Sequence, residues 1–204
     1  NQPMFKKDRT AVKGLFGQPT VIHNVETLYN ICLVIEDRYD NKRFSGIFGD
    51  GVDEKFVIRH DFDASIKDIL DEAKINLNDK YFVQIGGSAS GTFLNYDQLA
   101  DNKMIQAGSI EIYNKKERGP LEVLKRLFDF YEKESCGKCT PCRCGSKRLK
   151  LIMDEVTKEK NIPWDEIVQI TNLMGLASFC GLGQGIRTPV KPYMENILGK
   201  SYGR

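Results

Sequence analysis

The architecture of this chain is governed by the stretch Glu134-Ser135-Cys136-Gly137-Lys138-Cys139-Thr140-Pro141-Cys142-Arg143. Its three cysteines recur at every third position, so three sulfur atoms are predicted to converge on one short turn of backbone. A fourth cysteine follows much later, in Ser178-Phe179-Cys180-Gly181-Leu182-Gly183. One distant thiolate can complete a tetrahedral set with the local three, and four cysteine thiolates are the ligands that a [4Fe–4S] cluster needs.

The residues around these cysteines favour the gathering of thiolates. Thiolates repel one another, and positive charge and peptide N–H groups offset that repulsion. The basic residues near the motif are Lys138, Arg143, Lys147 and Arg148. Gly137 and Gly145 permit a close approach of backbone N–H groups, and a helix beginning after Cys142 would direct its positive end at the site. Phe179 and Leu182, which flank the fourth cysteine, are expected to shield its far side.

Two other interpretations of the cysteines stay open. Structural zinc also takes four cysteines in a tetrahedron, but zinc sites usually pair two Cys-x-x-Cys knuckles, and Cys180 has no second cysteine beside it. A disulfide network would suit a secreted domain. However, the cysteines are clustered locally, and the N-terminal stretch 1–9 lacks the apolar run of an export signal. The pattern therefore favours iron–sulfur over zinc, and zinc over disulfides.

Two further cysteines and a histidine are predicted to have structural roles. Cys144 could be a spare ligand or a free thiol, but we favour a small residue at the start of a helix. Cys32 lies on an apolar helical face and is expected to pack in the core. His60 is expected to lie at the surface.

Length and composition indicate a globular protein of two modest domains. The chain has 204 residues, of which 41% are hydrophobic and 28% are charged. A net charge of +2 gives no bias toward nucleic acid or anionic lipid. No run of roughly 18 apolar residues is present, so a membrane span is not expected. A reducing, cytoplasmic compartment suits the free cysteines best.

Hydrophobic periodicity divides the chain into an α+β part and a helical part. Asn24 can cap a helix over 24–35, and Ser65, with Asp68 three residues later, can cap a second helix over 66–73. The predicted strands are 44–48, 55–59, 81–85, 92–94 and 109–113. Beyond Gly119-Pro120 the spacing of apolar residues becomes helical. The predicted helices there are 121–131, about 145–158, 163–175 and 189–198.

The motifs also resemble a known family. The stretch Glu134–Arg143, together with Cys180 in its Phe-Cys-Gly-Leu-Gly context, is similar to the NADH-oxidising flavoprotein subunit of respiratory complex I. Related subunits occur in NAD-linked hydrogenases and formate dehydrogenases. Residues 13–28 resemble the segment that ends the flavin domain of this family. The resemblance extends over nearly the whole chain.

The resemblance implies an α+β fold with three parts. Residues 1–40 would be a residual C-terminal segment of the flavin domain with a linker helix. Residues 41–116 would form a small β-grasp (ubiquitin-like) domain of the soluble-ligand-binding, or SLBB, type. Residues 117–204 would form a C-terminal helical bundle that binds a [4Fe–4S] cluster.

The resemblance also implies a function in electron transfer. Cys136, Cys139, Cys142 and Cys180 would be the ligands of a [4Fe–4S] cluster that passes single electrons, taken originally from NADH by FMN. The glycine-rich flavin and nucleotide half of the family has no counterpart in this chain. Residues 86–91 do not have the spacing of a dinucleotide or phosphate loop, and we expect them to be a tight loop of the sheet. FMN and NAD are therefore expected only in a missing or partner domain.

These expectations describe a fragment or subunit of an NADH dehydrogenase-type oxidoreductase that is not active alone. Its partners would be other iron–sulfur or flavin subunits of a multi-subunit oxidoreductase, with no nucleic acid and no direct membrane span. Its location would be cytoplasmic, with peripheral attachment to a membrane complex left open. The alternative is a zinc-bound or metal-free module that docks partners or assists assembly.

Overall fold

A computed structural model describes residues 8–104 and 108–203 of the chain. The helices are α1 (Val25–Ile35), α2 (Ile66–Glu72), α3 (Pro120–Glu134), α4 (Thr140–Glu155), α5 (Trp164–Ala177), α6 (Gly181–Gly185) and α7 (Arg187–Pro192), and a π-helical turn (Tyr193–Ile197) follows α7. The strands are β1 (Lys42–Gly49), β2 (Phe56–Asp61), β3 (Tyr81–Ile85), β4 (Thr92–Asn95) and β5 (Ser109–Asn114). In the described ranges, no helix has the length and apolar character needed to cross a membrane.

The five strands form one mixed sheet in the order β2-β1-β5-β3-β4. β1 pairs antiparallel with β2 and parallel with β5, and β3 pairs antiparallel with both β4 and β5. The predicted strands are therefore confirmed, and residues 86–91 form the connection between β3 and β4 as expected.

Both faces of this sheet are covered, because successive side chains of a strand point to opposite faces. In β3, Val83 and Ile85 belong to a core that includes Ile66 and Ile69 of α2. Phe82, on the other face, belongs to a second core that includes the helices after residue 119. The fold is thus layered, with α2 on one side of the sheet and the helical part on the other.

The capping of α2 is the local feature that the sequence predicted best. The Ser65 hydroxyl accepts the N–H of Asp68 at 3.0 Å, and the Asp68 carboxylate accepts the N–H of Ser65 at 3.2 Å. The hydrogen bonds from Ser65 also lower the pKa of Asp68. This reciprocal pair forms the capping box that the spacing indicated.

An aromatic cluster joins the sheet to the helices. Phe82 stacks on Tyr113 with ring centroids 4.9 Å apart, and the ring of Phe93 lies 4.9 Å from that of Tyr193. All four side chains are buried. Aromatic pairs of this kind bury a large apolar area in specific geometries, so they fix the helical part against β3, β4 and β5.

Hydrogen bonds reinforce the same contact. The Tyr131 hydroxyl of α3 donates to the Ala89 carbonyl at 2.6 Å, and the Asn196 side-chain amide donates to the Phe93 carbonyl at 2.8 Å. A Cβ atom at Gly185 would lie 2.9 Å from the same Ala89 carbonyl. The connection between β3 and β4 therefore presses against α3 and α6 and supports both.

The helical part differs from the prediction at the cysteine motif. α4 begins at Thr140 rather than near Gly145, so Cys142 and Cys144 lie inside the helix. Pro141 stands in the first turn, where its fixed φ angle favours helix and its missing N–H costs nothing. Gly145 permits a close crossing of α5, since a Cβ there would lie 2.6 Å from the Cγ of Met174. The helix predicted over 189–198 is divided between α7 and the π-helical turn.

Two predictions about single residues are wrong. Cys32 is exposed, because α1 buries Leu33 and leaves most of its other apolar side chains in contact with solvent. His60 is buried at 1% exposure, with its Nε2 atom 2.8 Å from the Ser45 hydroxyl and its Nδ1 atom 2.8 Å from the Asp61 carbonyl. Pairing of β2 with β1 brings the imidazole of His60 against Ser45 of the neighbouring strand. The periodicity of one strand does not reveal this contact.

Replacing Gly49 with alanine should destabilise the sheet. Gly49 has a φ angle of +117°, and a Cβ there would lie 2.2 Å from the Ile112 carbonyl oxygen. We expect the free energy of unfolding, measured in urea, to fall by about 3 kcal/mol. Gly87→Ala is the matched control, because a Cβ at Gly87 meets nothing within 4 Å. Equal urea midpoints of unfolding for the two variants would contradict the prediction.

Candidate iron–sulfur site

The three local cysteines gather at the N-terminus of α4. Cys136 lies in the loop after α3, Cys139 is the N-cap of α4, and Cys142 is in its first turn. Gly137, at a φ angle of +74°, permits the loop to turn between Cys136 and Cys139. The Arg143 guanidinium donates to the Gly137 carbonyl at 2.7 Å and holds this turn. The positive end of α4 therefore lies among the three thiols, where it favours thiolates.

The fourth cysteine reaches this place through α6. Cys180 is the N-cap of α6, and Gly183 of that helix lies against α4. A Cβ atom at Gly183 would lie 3.1 Å from the Cβ of Cys142 and 2.3 Å from the hydroxyl oxygen of Ser178. Only glycine permits this approach, so the packing of α6 on α4 brings Cys180 to the local three.

The electrostatics of Cys142 indicate that the four sulfur atoms lie close together. Burial raises the pKa of the Cys142 thiol, and the negative charges of Cys139, Cys180 and Cys136 raise it further. Each of the other three cysteines that the sequence singled out therefore lies near enough to act on the thiol of Cys142. Cys144, whose side chain is exposed on α4, is not among the cysteines that act on Cys142.

The thiol of Cys139 shows the opposite shift, a lowered pKa. The backbone N–H of Phe179 makes the largest contribution to lowering the pKa of the Cys139 thiol, and the N–H of Cys142 and the Ser178 hydroxyl add to it. The loop that carries Cys180 thus stabilises the thiolate of a cysteine at the start of α4. This contact links the two distant parts of the motif without a metal.

Burial divides the quartet into two pairs. Cys139 and Cys142 are 5% and 4% exposed, whereas Cys136 and Cys180 are exposed. Phe179 does not shield the site as predicted, because its ring is 82% exposed. Leu182 is half-buried and packs against the helical core. The site therefore opens to the surface on the side of Cys136 and Cys180.

The described side chains do not form a site for a single metal ion. In the described part of the chain, no three His, Cys, Asp or Glu side chains converge closely enough to hold one metal ion. Zinc–sulfur bonds of about 2.3 Å would require sulfur atoms about 3.8 Å apart. A cluster of several irons is larger and spreads its thiolates further. None of the six cysteines, all of which lie in the described ranges, forms a disulfide, so the disulfide alternative is wrong.

Two serines beside the cysteines escaped the sequence analysis. The Ser135 hydroxyl lies 3.5 Å from the sulfur of Cys142. The Ser178 hydroxyl is buried and contributes to the low pKa of Cys139. Both serines stand one or two residues before a motif cysteine, which is the signal that could have identified them.

Gly183→Ala should open the site. The new methyl group would collide with Ser178 and with the Cβ of Cys142, so α6 would have to move away from α4. In cluster-free protein we expect iodoacetamide to label the buried Cys139 and Cys142 at least about tenfold faster, as expected for a loss of roughly 1.4 kcal/mol of protection. Gly181→Ala, whose Cβ meets nothing within 4 Å, should label like the parent. Unchanged labelling of Gly183→Ala would count against this packing.

Comparison with known proteins shows which proteins this chain is similar to. Residues 122–197 match the family described as the NADH-ubiquinone oxidoreductase-F iron-sulfur binding region. The chain is 30% identical to the NADP-reducing hydrogenase subunit HndC of Solidesulfovibrio fructosivorans, over 98% of this chain and 45% of that relative. It is 24% identical to the mitochondrial NADH-ubiquinone oxidoreductase 51 kDa subunit of Aspergillus niger, over 96% of this chain and 45% of that relative.

A solved structure shares the fold. The crystal structure of NAD+-reducing [NiFe]-hydrogenase in the H2-reduced state matches with a TM-score of 0.75 and 22% identity, over 97% of this chain and 36% of that one. The chain spans about half the length of the curated relatives that it matches. Residues 122–197 belong to the NADH-ubiquinone oxidoreductase-F iron-sulfur binding region family, and the chain is similar to the C-terminal portion of 51 kDa-type subunits of NADH-quinone oxidoreductases and NAD-reducing hydrogenases.

Proposed function

We propose that this chain is the electron-transfer part of an NADH:acceptor oxidoreductase, in which Cys136, Cys139, Cys142 and Cys180 hold a [4Fe–4S] cluster. When bound, such a cluster supplies a carrier of single electrons. The proposal is supported by the position of Cys136, Cys139 and Cys142 around the start of α4, and by the charges of Cys139, Cys180 and Cys136, which raise the pKa of the Cys142 thiol.

The residues of the chain prepare the site in three ways. Burial of Cys139 and Cys142 keeps water away from one side. Backbone N–H groups, above all that of Phe179, stabilise the thiolate of Cys139. The positive end of α4 and the exposed side chains of Lys138 and Lys147 add positive charge where four thiolates must gather.

The open side of the site supports a role with partner subunits. Cys136 and Cys180 are exposed there, and three large apolar side chains in the segment that leads to the fourth cysteine are exposed as well: Leu173, Leu176 and Phe179. Apolar surface next to redox-active thiolates is unfavourable in water and suits an interface. The partners would be other iron–sulfur or flavin subunits of a multi-subunit oxidoreductase. The location would be cytoplasmic, either within a complex that is attached to a membrane or free of one.

The domain organisation is part of the same proposal. Residues 41–116 would be the SLBB β-grasp domain, which the mixed sheet with its central parallel β1–β5 pair and the covering helix α2 supports. Residues 117–204 would be the cluster-binding helical domain. Residues 1–40 would belong with the flavin half, which the exposed apolar side chains of α1 support. FMN and NADH would bind only to that missing or partner domain, so the chain alone should not oxidise NADH.

Anaerobic reconstitution tests the proposal directly. The chain should take up iron and sulfide in equal amounts, and the reduced protein should give the electron paramagnetic resonance spectrum of a [4Fe–4S] cluster. Tightly held zinc without iron or sulfide would instead favour a structural or docking module. Failure to form any cluster with all six cysteines reduced would refute the electron-transfer assignment.

Cys180→Ser should weaken both the cluster and the helical part. Cys180 is the distant ligand, so its loss removes the metal link between α6 and α4, and metal binding is coupled to folding at such sites. After reconstitution we expect iron per chain to fall to about half or less and the thermal midpoint to drop by several degrees, on the order of 1–2 kcal/mol. Cys144→Ser, at an exposed cysteine of the same region, should retain iron and stability. Equal iron contents would contradict this prediction.

A further inference from the structure

Two serine hydroxyls lie beside the buried Cys142, and nothing in the proposed function uses them. The Ser135 hydroxyl lies 3.5 Å from the sulfur of Cys142. It also accepts the N–H of Gly137 at 3.3 Å, so one of its lone pairs is already engaged. Its own hydrogen is therefore available to the sulfur atom, which as a thiolate can only accept.

Ser178 is held in a similar way but is more deeply buried. Ser178 is 5% exposed, and its hydroxyl oxygen has no hydrogen-bond partner in the described part of the chain. The backbone on both sides is fixed, because its N–H donates to the Met174 carbonyl at 3.1 Å and its carbonyl accepts from the Gln184 amide at 2.9 Å. The hydroxyl points to the crowded contact between Gly183 and Cys142. A buried hydroxyl without a partner is unfavourable, so its position calls for an acceptor.

The two serines share a position that helix capping does not explain. Ser135 directly follows the last residue of α3, and Ser178 directly follows the last residue of α5. A serine hydroxyl is favoured at a helix N-terminus, where it accepts free N–H groups, and not at a C-terminus. Each serine instead comes from the segment of an exposed cysteine and lies beside the buried Cys142 of α4.

We propose that the Ser135 hydroxyl donates a hydrogen bond to the sulfur atom of Cys142, that the buried Ser178 hydroxyl donates to a sulfur atom of the same site, and that these bonds raise the reduction potential of the cluster. The inference rests on the proposed function. Reduction adds one negative charge to the site, and donors to sulfur stabilise that added charge more than they stabilise the oxidised state. The serines are thus positioning residues that tune the site without binding iron.

The test compares alanine variants by redox titration of reconstituted protein, monitored by electron paramagnetic resonance. Each of Ser135→Ala and Ser178→Ala should lower the equilibrium constant for reduction about threefold. The double variant should lower it about tenfold, which for one electron is about 59 mV toward negative potential. Ser135→Thr keeps the hydroxyl and should titrate like the parent.

Ser45→Ala is the matched control for loss of a buried serine. Ser45 is 1% exposed and hydrogen-bonds His60 within the sheet, so its replacement should leave the potential unchanged. Alanine variants that retain full iron and titrate like the parent would overturn the inference. If Ser178→Ala loses iron, the comparison of Ser135→Ala with Ser135→Thr remains as the test. A lower reduction potential in Ser135→Ala than in Ser135→Thr supports the inference, and equal potentials overturn it. A parent chain that forms no cluster would refute the proposed function itself.

Discussion

Repulsion among four thiolates is the constraint that shapes the second half of this structure. Four negative sulfur atoms in one place are unfavourable. Burial raises the pKa of the Cys142 thiol most, and the charges of Cys139, Cys180 and Cys136 raise it further. The lowered pKa of Cys139 shows how the chain offsets it, through backbone N–H groups led by that of Phe179. The positive end of α4 acts in the same direction. These features would favour the thiolates that the proposed cluster requires.

Keeping the four cysteines together requires support from outside the motif. Gly145 and Gly183 have no side chain where α5 and α6 cross α4. A larger residue would collide with Met174 at the first position and with Ser178 and Cys142 at the second. Tyr131 ties α3 to the connection between β3 and β4, and Gly185 packs α6 against the same connection. The sheet therefore supports the helices that carry the four cysteines. This support would explain why an electron-transfer domain has a neighbouring sheet that contributes no ligand.

Much of the fold was predictable from local patterns. The capping box of Ser65 and Asp68 and all five strands are properties of short stretches, whose periodicity and turn residues leave little choice. The predictions for Cys32, His60 and Phe179 were wrong for a common reason. Burial depends on which element packs over a residue, and neither the exposure of α1 nor the β1–β2 pairing is encoded in one stretch of sequence.

The proposed iron–sulfur chemistry could be inferred without coordinates, because few metal centres take four cysteine ligands at this spacing. The same cysteine pattern also indicates the relatives. Packing between segments set the rest. It determined which sulfur atoms are buried, brought Cys180 against the start of α4 through the contact at Gly183, and placed Ser135 and Ser178 beside the buried cysteines. The physical reason is that ligand identity is a property of single residues, whereas burial, mutual repulsion and hydrogen bonding to sulfur exist only between segments that folding brings together.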